Sequence, residues 1–302
     1  MQTLNHIGII ALNTFRESIR DKILYNIGFL AIALTLFSIV LGEWSVFDRS
    51  YVIKSTTLSV MSLSGLLISI FVGISLVQKE IQRRTVLTLL SKPISRVAFI
   101  VGKYFGLLAV VAVHLCLLTG IYYCILWVTN SSPTLSLLTA IYLIFCEMAV
   151  VIAVALLFSS FSSTILSALF TLGVYFAGHL SDQLLEQVRF ASRMGELHGT
   201  SSAILEKAAV VIHAVFPGLY RFNVTNYVVH GVALPDMYLF WNSIYALGYI
   251  GVFLAVASWW FSRRERSFPF GEAGRGYSFG FTVYVHVYVP YSVNLRSPRV
   301  TV

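Results

Sequence analysis

Long apolar runs constrain this chain more than any other feature. Blocks of about 20 apolar residues recur, and that length crosses a hydrocarbon core of roughly 30 Å as an α-helix. Of the 302 residues, 57% are hydrophobic and only 11% are charged, whereas a soluble domain keeps roughly a quarter of its residues charged. Unpaired backbone groups in lipid cost several kcal/mol each, so these blocks should be helical. The predicted fold is therefore an all-α membrane protein with six transmembrane helices, near 23–42, 57–77, 104–128, 135–158, 162–180 and 239–261.

The distribution of Lys and Arg predicts the orientation of the spans. With a cytoplasmic N-terminus, the segments 1–22, 78–103, 159–161 and 262–302 face inward and hold 15 of the 21 basic residues against 5 acids. The outward segments hold the other 6 basic residues against 7 acids. Basic residues near span ends are retained on the cytoplasmic side. Both termini are thus predicted to be cytoplasmic, and the net charge of +8 needs no nucleic-acid partner. The first 22 residues lack the apolar core of a cleavable signal peptide.

Residues 3–20 form an amphipathic pattern ahead of the first span. Apolar residues recur at three- and four-residue steps: Leu4, Ile7, Ala11, Phe15 and Ile19. A helix with one apolar stripe that is too polar to span is predicted to lie in the headgroup interface. The alternative is an ordinary cytoplasmic helix that packs on the rest of the protein.

The cytoplasmic loop 78–103 is the most informative segment. It carries six basic residues against Glu80, and Pro93 interrupts it. Proline disfavours helix in the preceding residue and suits the first turn of the next helix. The pattern predicts a helix–break–helix hairpin with an apolar and a basic side, which suits a groove on a partner protein. A solvated basic loop that merely follows the charge rule remains the alternative.

Glu147 is the only acid deep within a predicted span. A charged side chain there costs on the order of 2.5–3.5 kcal/mol on insertion scales, so it should face other helices or a water-filled path. It is a candidate translocation-path or proton-coupling residue, or else a hydrogen-bonded contact between helices. His114 and His179 are expected to be hydrogen-bonded packing residues, and the three cysteines to be thiols within spans.

Motifs for catalysis and nucleotide binding are absent from the sequence. There is no HExxH, GxSxG or CxxC pattern. Gly102-Lys103 is followed by Tyr104 rather than by Ser or Thr, so it does not make a phosphate-binding loop. If ATP drives this protein, another polypeptide must bind it, and the chain itself is predicted to be non-catalytic with no cofactor or metal of its own.

Three further segments carry weaker signals. The outward segment 181–238 is predicted to be short helices and loops that cap the outer mouth. The pairs Gly102/Gly106 and Ser69/Gly73 have the small-residue spacing that permits close helix approach. The glycine-rich, β-prone residues 267–302 are predicted to be an irregular cytoplasmic tail of unknown role.

Four motifs in order along the chain resemble one family. They are NTFRESIRDKILY near the N-terminus, the loop from Glu80 through LLSKPISR to GK, the outer FPGLYRFN, and FSRRERSF. Together they resemble the permease subunits of ATP-binding-cassette (ABC) type 2 exporters, over about residues 1–268. Gln82 stands where that family frequently has an acid.

The resemblance implies a dimeric permease domain over residues 1–266 in the cell membrane, with ATP and Mg²⁺ bound by a separate ATPase subunit. The loop would be a coupling helix, and its contact residues would be Glu80, Arg83, Arg84 and Thr85. Pro93 and Arg96 would set the turn, and Lys103 would anchor the third span at the headgroups. The second permease subunit could be identical or different. The competing hypothesis is an ion-coupled secondary transporter that uses Glu147, although inverted repeats that would favour it are not apparent.

Overall fold

The computed structural model of the chain describes residues 2–45, 48–82, 96–129, 135–194, 207–208, 210–211, 216–232, 234–235 and 237–264. All the regular elements within these ranges are helical, which confirms the all-α prediction. They are α1 (Gln2–Ile19), α2 (Lys22–Trp44), α3 (Arg49–Gln82), α4 (Arg96–Val128), α5 (Leu135–Phe161), α6 (Thr164–Met194), a 3-10 turn (Leu219–Phe222), α7 (Thr225–Val229) and α8 (Tyr238–Arg264).

Six of these helices are long and apolar enough to cross a membrane: α2, α3, α4, α5, α6 and α8. Their number and order confirm the predicted spans. Two of them run well past the predicted ends. α3 continues to Gln82, and α6 continues to Met194. The first of the residues after 180, which were predicted to be short helices and loops, are therefore the C-terminal end of α6.

Helices α3 and α5 form the centre of the bundle. In each of these two helices, 72% of the most apolar stretch is buried inside the protein, against 17% of that stretch in α2 and 11% in α8. α3 contacts α1, α2, α4, α5, α6 and α7, and α5 packs against α3, α4, α6 and α8. The outer helices expose Phe, Leu and Trp side chains such as Phe29, Trp127 and Trp241. Apolar side chains on that perimeter are what a lipid-facing surface requires.

A short connection turns the N-terminal helix into the first span. Only Arg20 and Asp21 separate α1 from α2, and the Asp21 carboxylate accepts a hydrogen bond from the Ile23 backbone N–H at 3.1 Å. An aspartate in this N-cap position satisfies one of the unpaired donors at the start of a helix. Asp21 therefore fixes where α1 ends and α2 begins.

Candidate functional site

The predicted coupling segment is bracketed by two long helices. α3 carries Glu80 in its last turn, and Arg96 is the first residue of α4. At about 1.5 Å per residue, the 34 residues of α3 span roughly 51 Å, more than a hydrocarbon core requires. The candidate span within α3 ends at Ser75, so Glu80 lies more than one turn beyond it. Arg83, Arg84, Thr85 and Pro93 fall outside the described residues.

Helix α1 packs tightly on the start of α4. A Cβ placed on Gly102 would lie 2.8 Å from Ile10 Cβ, and one on Gly106 would lie 2.6 Å from Thr14 Cβ and 2.7 Å from the Ala11 carbonyl oxygen. Such distances are shorter than real contacts, so only glycine permits this approach. The Gly102/Gly106 pair is therefore occupied by the chain's own α1, and its spacing does not mark a subunit interface.

The contact with α4 also determines which face of α1 is buried. Its inner face buries Thr14 and Ser18, with Ser18 donating a hydrogen bond to the Thr14 carbonyl at 2.7 Å. Ile9 and Leu12, on the other side of the helix, are 66% and 51% exposed. One face thus packs on the protein, as the alternative interpretation required. The predicted apolar stripe from Ile7 to Ile19 is half-buried, and its position in the headgroup interface stays a prediction.

Lys103 lies between these two glycines and is 2% exposed. Its ammonium group lies 5.1 Å from the centre of the Phe99 ring, within cation–π range. An anchor at the lipid headgroups needs a side chain that reaches them. This buried position does not fit that predicted role, because the ammonium is enclosed by protein at the base of α4.

Hydrogen bonds join α4 and α2 to α3 within the membrane. His114 of α4 lies 2.9 Å from the Ser64 hydroxyl through Nε2, and both side chains are buried. Ser38 of α2 lies 3.4 Å from the Thr57 hydroxyl. The expectation that His114 is a hydrogen-bonded packing residue is confirmed. These contacts fix the positions of α2 and α4 along α3 more specifically than apolar packing alone does.

Glu147 of α5 occupies a buried polar cluster near mid-span. Its Oε1 lies 3.3 Å from Nε2 of His179, and its side chain is 2% exposed. Tyr175 of α6 lies beside the same carboxyl. The contact with His179 is loosely aligned, so Oε1 completes no hydrogen bond within the described residues. Glu147 therefore faces α6, as the sequence predicted for a contact between helices.

Tyr175 and His179 extend this cluster to a third helix. The Tyr175 hydroxyl lies 3.5 Å from the Ser62 hydroxyl of α3. The rings of Tyr175 and His179 are in contact, with centroids 4.5 Å apart and planes tilted by 37°. His179 Nδ1 lies 3.3 Å from the Tyr175 carbonyl oxygen. Sequence analysis identified Glu147 and His179 separately but did not pair them. The i, i+4 spacing of Tyr175 and His179 was the available signal, and only tertiary packing brings Glu147 to it.

The outer segment FPGLYRFN is built into the bundle. Leu219 and Phe222 are buried, and the Gly218 N–H donates to the Tyr245 hydroxyl of α8 at 2.8 Å. A Cβ on Gly178 of α6 would lie 2.5 Å from the Pro217 carbonyl oxygen. The segment therefore packs against α6 and α8, and its position on the outer side stays a prediction.

Arg221 projects from this cap among tyrosines. Its Nε donates to the Tyr220 hydroxyl at 3.3 Å, and its guanidinium lies 5.1 Å from the centre of the Tyr245 ring. The hydrogen bond to Tyr220 raises the pKa of the Arg221 guanidinium above its ordinary value. Since that group is charged at any physiological pH, its contribution here is a fixed positive charge that orders the cap.

Among the described residues, no group of three or more His, Cys, Asp or Glu side chains could hold a metal ion. Many buried Ser and Thr hydroxyls of the described core donate instead to a carbonyl of their own helix.

Comparison with known proteins agrees with this architecture. Residues 41–266, which are 226 of the 302 in the chain, match the profile of a family described as ABC-2 family transporter protein. No curated protein matches the chain. A match over most of the chain, from the end of α2 past the end of α8, covers five of the six spans. The chain is therefore a member of the ABC-2 family of transporter membrane proteins.

Proposed function

We propose that this permease subunit works in an ATP-driven exporter, and that its loop 78–103 docks on a separate ATPase subunit that binds ATP and Mg²⁺. The family assignment supports an ABC transporter context. The observation that carries the docking proposal is the length of α3, which continues past its candidate span to Gln82 and brings Glu80 beyond the apolar region. The permease would sit in the cell membrane with both termini cytoplasmic.

The cytoplasmic end of the bundle suits the transmission of force. The loop is framed by the end of α3 and the start of α4, and α1 is fitted onto α4 at Gly102 and Gly106. Closely packed helices move as rigid bodies, because a well-packed interface resists small deformations. A push on the loop would therefore move α3, α4 and α1 together.

The proposed cycle assigns no chemistry to this chain. ATP closes the two ATPase subunits, and their motion displaces the docked loops of two permease subunits. Glu80, Arg83, Arg84 and Thr85 would make the contact, while Pro93 and Arg96 would shape the turn. α3 then carries the displacement to the polar contacts at Ser62 and Ser64. The translocation path would open between the permease subunits, which form a homodimer or a heterodimer.

Co-purification tests the docking. The tagged chain should retain an ATP-hydrolysing polypeptide whose peptides, read by mass spectrometry, contain a phosphate-binding loop. The triple variant Glu80→Ala, Arg83→Ala and Arg84→Ala should lose that polypeptide while its membrane abundance is unchanged. The matched control changes charged residues at the outer ends of the helices, Glu43→Ala, Arg49→Ala and Arg189→Ala, and should retain it. Equal retention by both triple variants would exclude the loop as the docking element.

A second candidate function is favoured by one observation, the buried contact of Glu147 with His179. An ion-coupled secondary transporter would use such a carboxyl to carry protons. This alternative predicts that the purified chain alone, in sealed vesicles, moves protons down an imposed gradient, and that Glu147→Gln stops the flux. The exporter proposal predicts no flux from the chain alone.

A further inference from the structure

A stripe of polar side chains on α6 leads from the outer end of that helix to the buried Glu147. Tyr175, His179, Asp182 and Glu186 follow at steps of four, three and four residues. At 100° per residue they fall within about 60° of one another around the helix axis. The stripe borders the buried face of α6, where Gly178 and Ser181 pack. Phe176 and Leu180, on the lipid-facing side, are 53% and 46% exposed.

Accessibility falls steadily along this stripe toward the centre of the bundle. Glu186 is exposed and Asp182 is half-buried. The His179 side chain is 20% exposed, and that of Glu147 is 2% exposed. Both neighbours of this carboxyl on α6, Tyr175 and His179, are half-buried, and His179 is the one that adjoins Asp182 along the stripe. Anything that exchanges with Glu147 by this route must pass His179.

Hydrogen bonding fixes how many protons the pair holds. His179 Nδ1 faces the Tyr175 carbonyl oxygen, which can only accept, so Nδ1 carries a proton. In the neutral imidazole Nε2 is then the acceptor, and it faces Glu147 Oε1. The contact therefore requires one further proton, on the carboxyl or on Nε2. With that proton the pair has no net charge, which a membrane interior favours strongly over an isolated carboxylate.

We propose that Glu147 and His179 form a one-proton site, and that water from the Glu186 end of α6 reaches it along the stripe. The proton resides on the Glu147 carboxyl and is donated to Nε2 of His179. On release it passes to water at His179, leaving a carboxylate to which the Tyr175 hydroxyl donates. The groups placed against the site are Ser62 from α3 and Tyr175 from α6, with Asp182 and Glu186 along the approach. Arg189 adds a positive charge at the outer mouth.

The unsatisfied Glu147 Oε1 is an independent reason to place a water molecule or a proton here. It is fully buried and completes no hydrogen bond within the described residues. Buried polar atoms are nearly always paired with protein or with ordered water. This inference does not use the ATPase partnership, so it stands or falls separately from the coupling proposal.

Cysteine accessibility tests the water path. In a background with Cys116, Cys124 and Cys146 replaced by alanine, single variants Glu186→Cys, Asp182→Cys and His179→Cys are treated with a charged, membrane-impermeant thiosulfonate. All three should be modified from the same side of sealed vesicles. The lipid-facing controls Phe176→Cys and Leu180→Cys should react at least about tenfold more slowly, because thiolates form poorly in lipid.

Two outcomes overturn the path: Asp182→Cys remains unmodified, or His179→Cys reacts no faster than Phe176→Cys. Asp182→Cys keeps the pair intact, so it is informative even if His179→Cys does not fold. The side from which Glu186→Cys reacts reports the orientation of the chain, and this result is read separately from the gradient along the stripe.

Infrared spectroscopy tests the proton itself. The spectrum of the wild-type chain in nanodiscs minus that of Glu147→Gln should contain the carbonyl band of one protonated carboxylic acid. That band should shift promptly on transfer to D₂O, because water reaches the pair. Absence of the band, or a band that does not exchange, would falsify the proposal. Since a glutamine amide can still donate to Nε2, Glu147→Gln should keep the wild-type melting midpoint, whereas Glu147→Leu should lower it.

Discussion

Two glycines on α4 show how much a single side chain matters where α1 packs on α4. Gly106→Leu places new atoms where Thr14 and the Ala11 carbonyl already lie, at 2.6 and 2.7 Å from the Cβ. Overpacking of this kind costs about 1–3 kcal/mol, so we expect a lower thermal midpoint in detergent and displacement of α1. Gly120→Leu on the same helix meets nothing within 4 Å and should melt as the wild type does. Equal midpoints for the two variants would contradict the close packing of α1.

The hydrogen bond between His114 and Ser64 allows a second comparison of two single substitutions. Ser64→Ala removes the partner of a buried imidazole nitrogen at 2.9 Å. Side-chain hydrogen bonds between membrane helices contribute about 0.6 kcal/mol on average and up to about 1.7 kcal/mol, so a loss in that range is expected. Ser75→Ala removes only a bond to the carbonyl of Val72 in its own helix and serves as the control. Unfolding in a denaturing detergent titration measures both, and identical curves would show that the bond between helices contributes nothing.

Lys103 and Glu147 show what single residues in the sequence can and cannot reveal. Glu147 was predictable as an inward-facing residue, because an acid in a span must avoid lipid. The enclosed position of Lys103 was not predictable, since a lysine at the start of a span more often reaches the headgroups. Only the packing of α1 on α4 decides between an enclosed lysine and one that reaches the headgroups. The pairing of Glu147 with His179 likewise depends on how two helices meet, which the sequence does not encode locally.

At the scale of elements, the number of spans was predictable but their lengths were not. Hydropathy identifies the six apolar windows, because each is long enough to cross a bilayer. It places the end of the fifth span near 180, whereas α6 runs to Met194. Beyond Leu180 the helix becomes amphipathic, with Asp182 and Glu186 on one side, so average hydropathy falls while the helix continues. The same reasoning explains why α3 extends past its apolar window.

The docking of the outer cap on α6 gives a prediction at this scale. Gly178→Leu would place a Cβ 2.5 Å from the Pro217 carbonyl oxygen and 2.9 Å from the Leu219 side chain. We expect it to release the segment around Leu219 and to expose it to protease added outside right-side-out vesicles. Gly173→Leu, also on α6, meets nothing within 4 Å and should leave the cleavage rate unchanged. A protected cap in Gly178→Leu would show that α6 does not hold it.

Burial is uneven among the membrane-spanning helices of the described chain. α3 and α5 are mostly buried within one chain, while α2 and α8 are largely exposed. The family assignment covers five of the six spans, and the sequence motifs predicted it without the structure. A bilayer and a second permease subunit would both accept the apolar side chains that these helices expose.

The composition of the intact complex is the prediction that belongs to this scale. Native mass spectrometry of the complex purified through a tag on this chain should show two permease subunits and two ATPase subunits. The basic residues of loop 78–103 outnumber its single acid six to one, so electrostatic attraction should contribute to docking and be screened by salt. Raising the salt concentration should therefore release ATPase subunits while the permease pair, held by apolar contacts, stays together. If salt instead separated the permeases and left each bound to its ATPase, the loop could not be the weaker, charge-dependent contact that we propose.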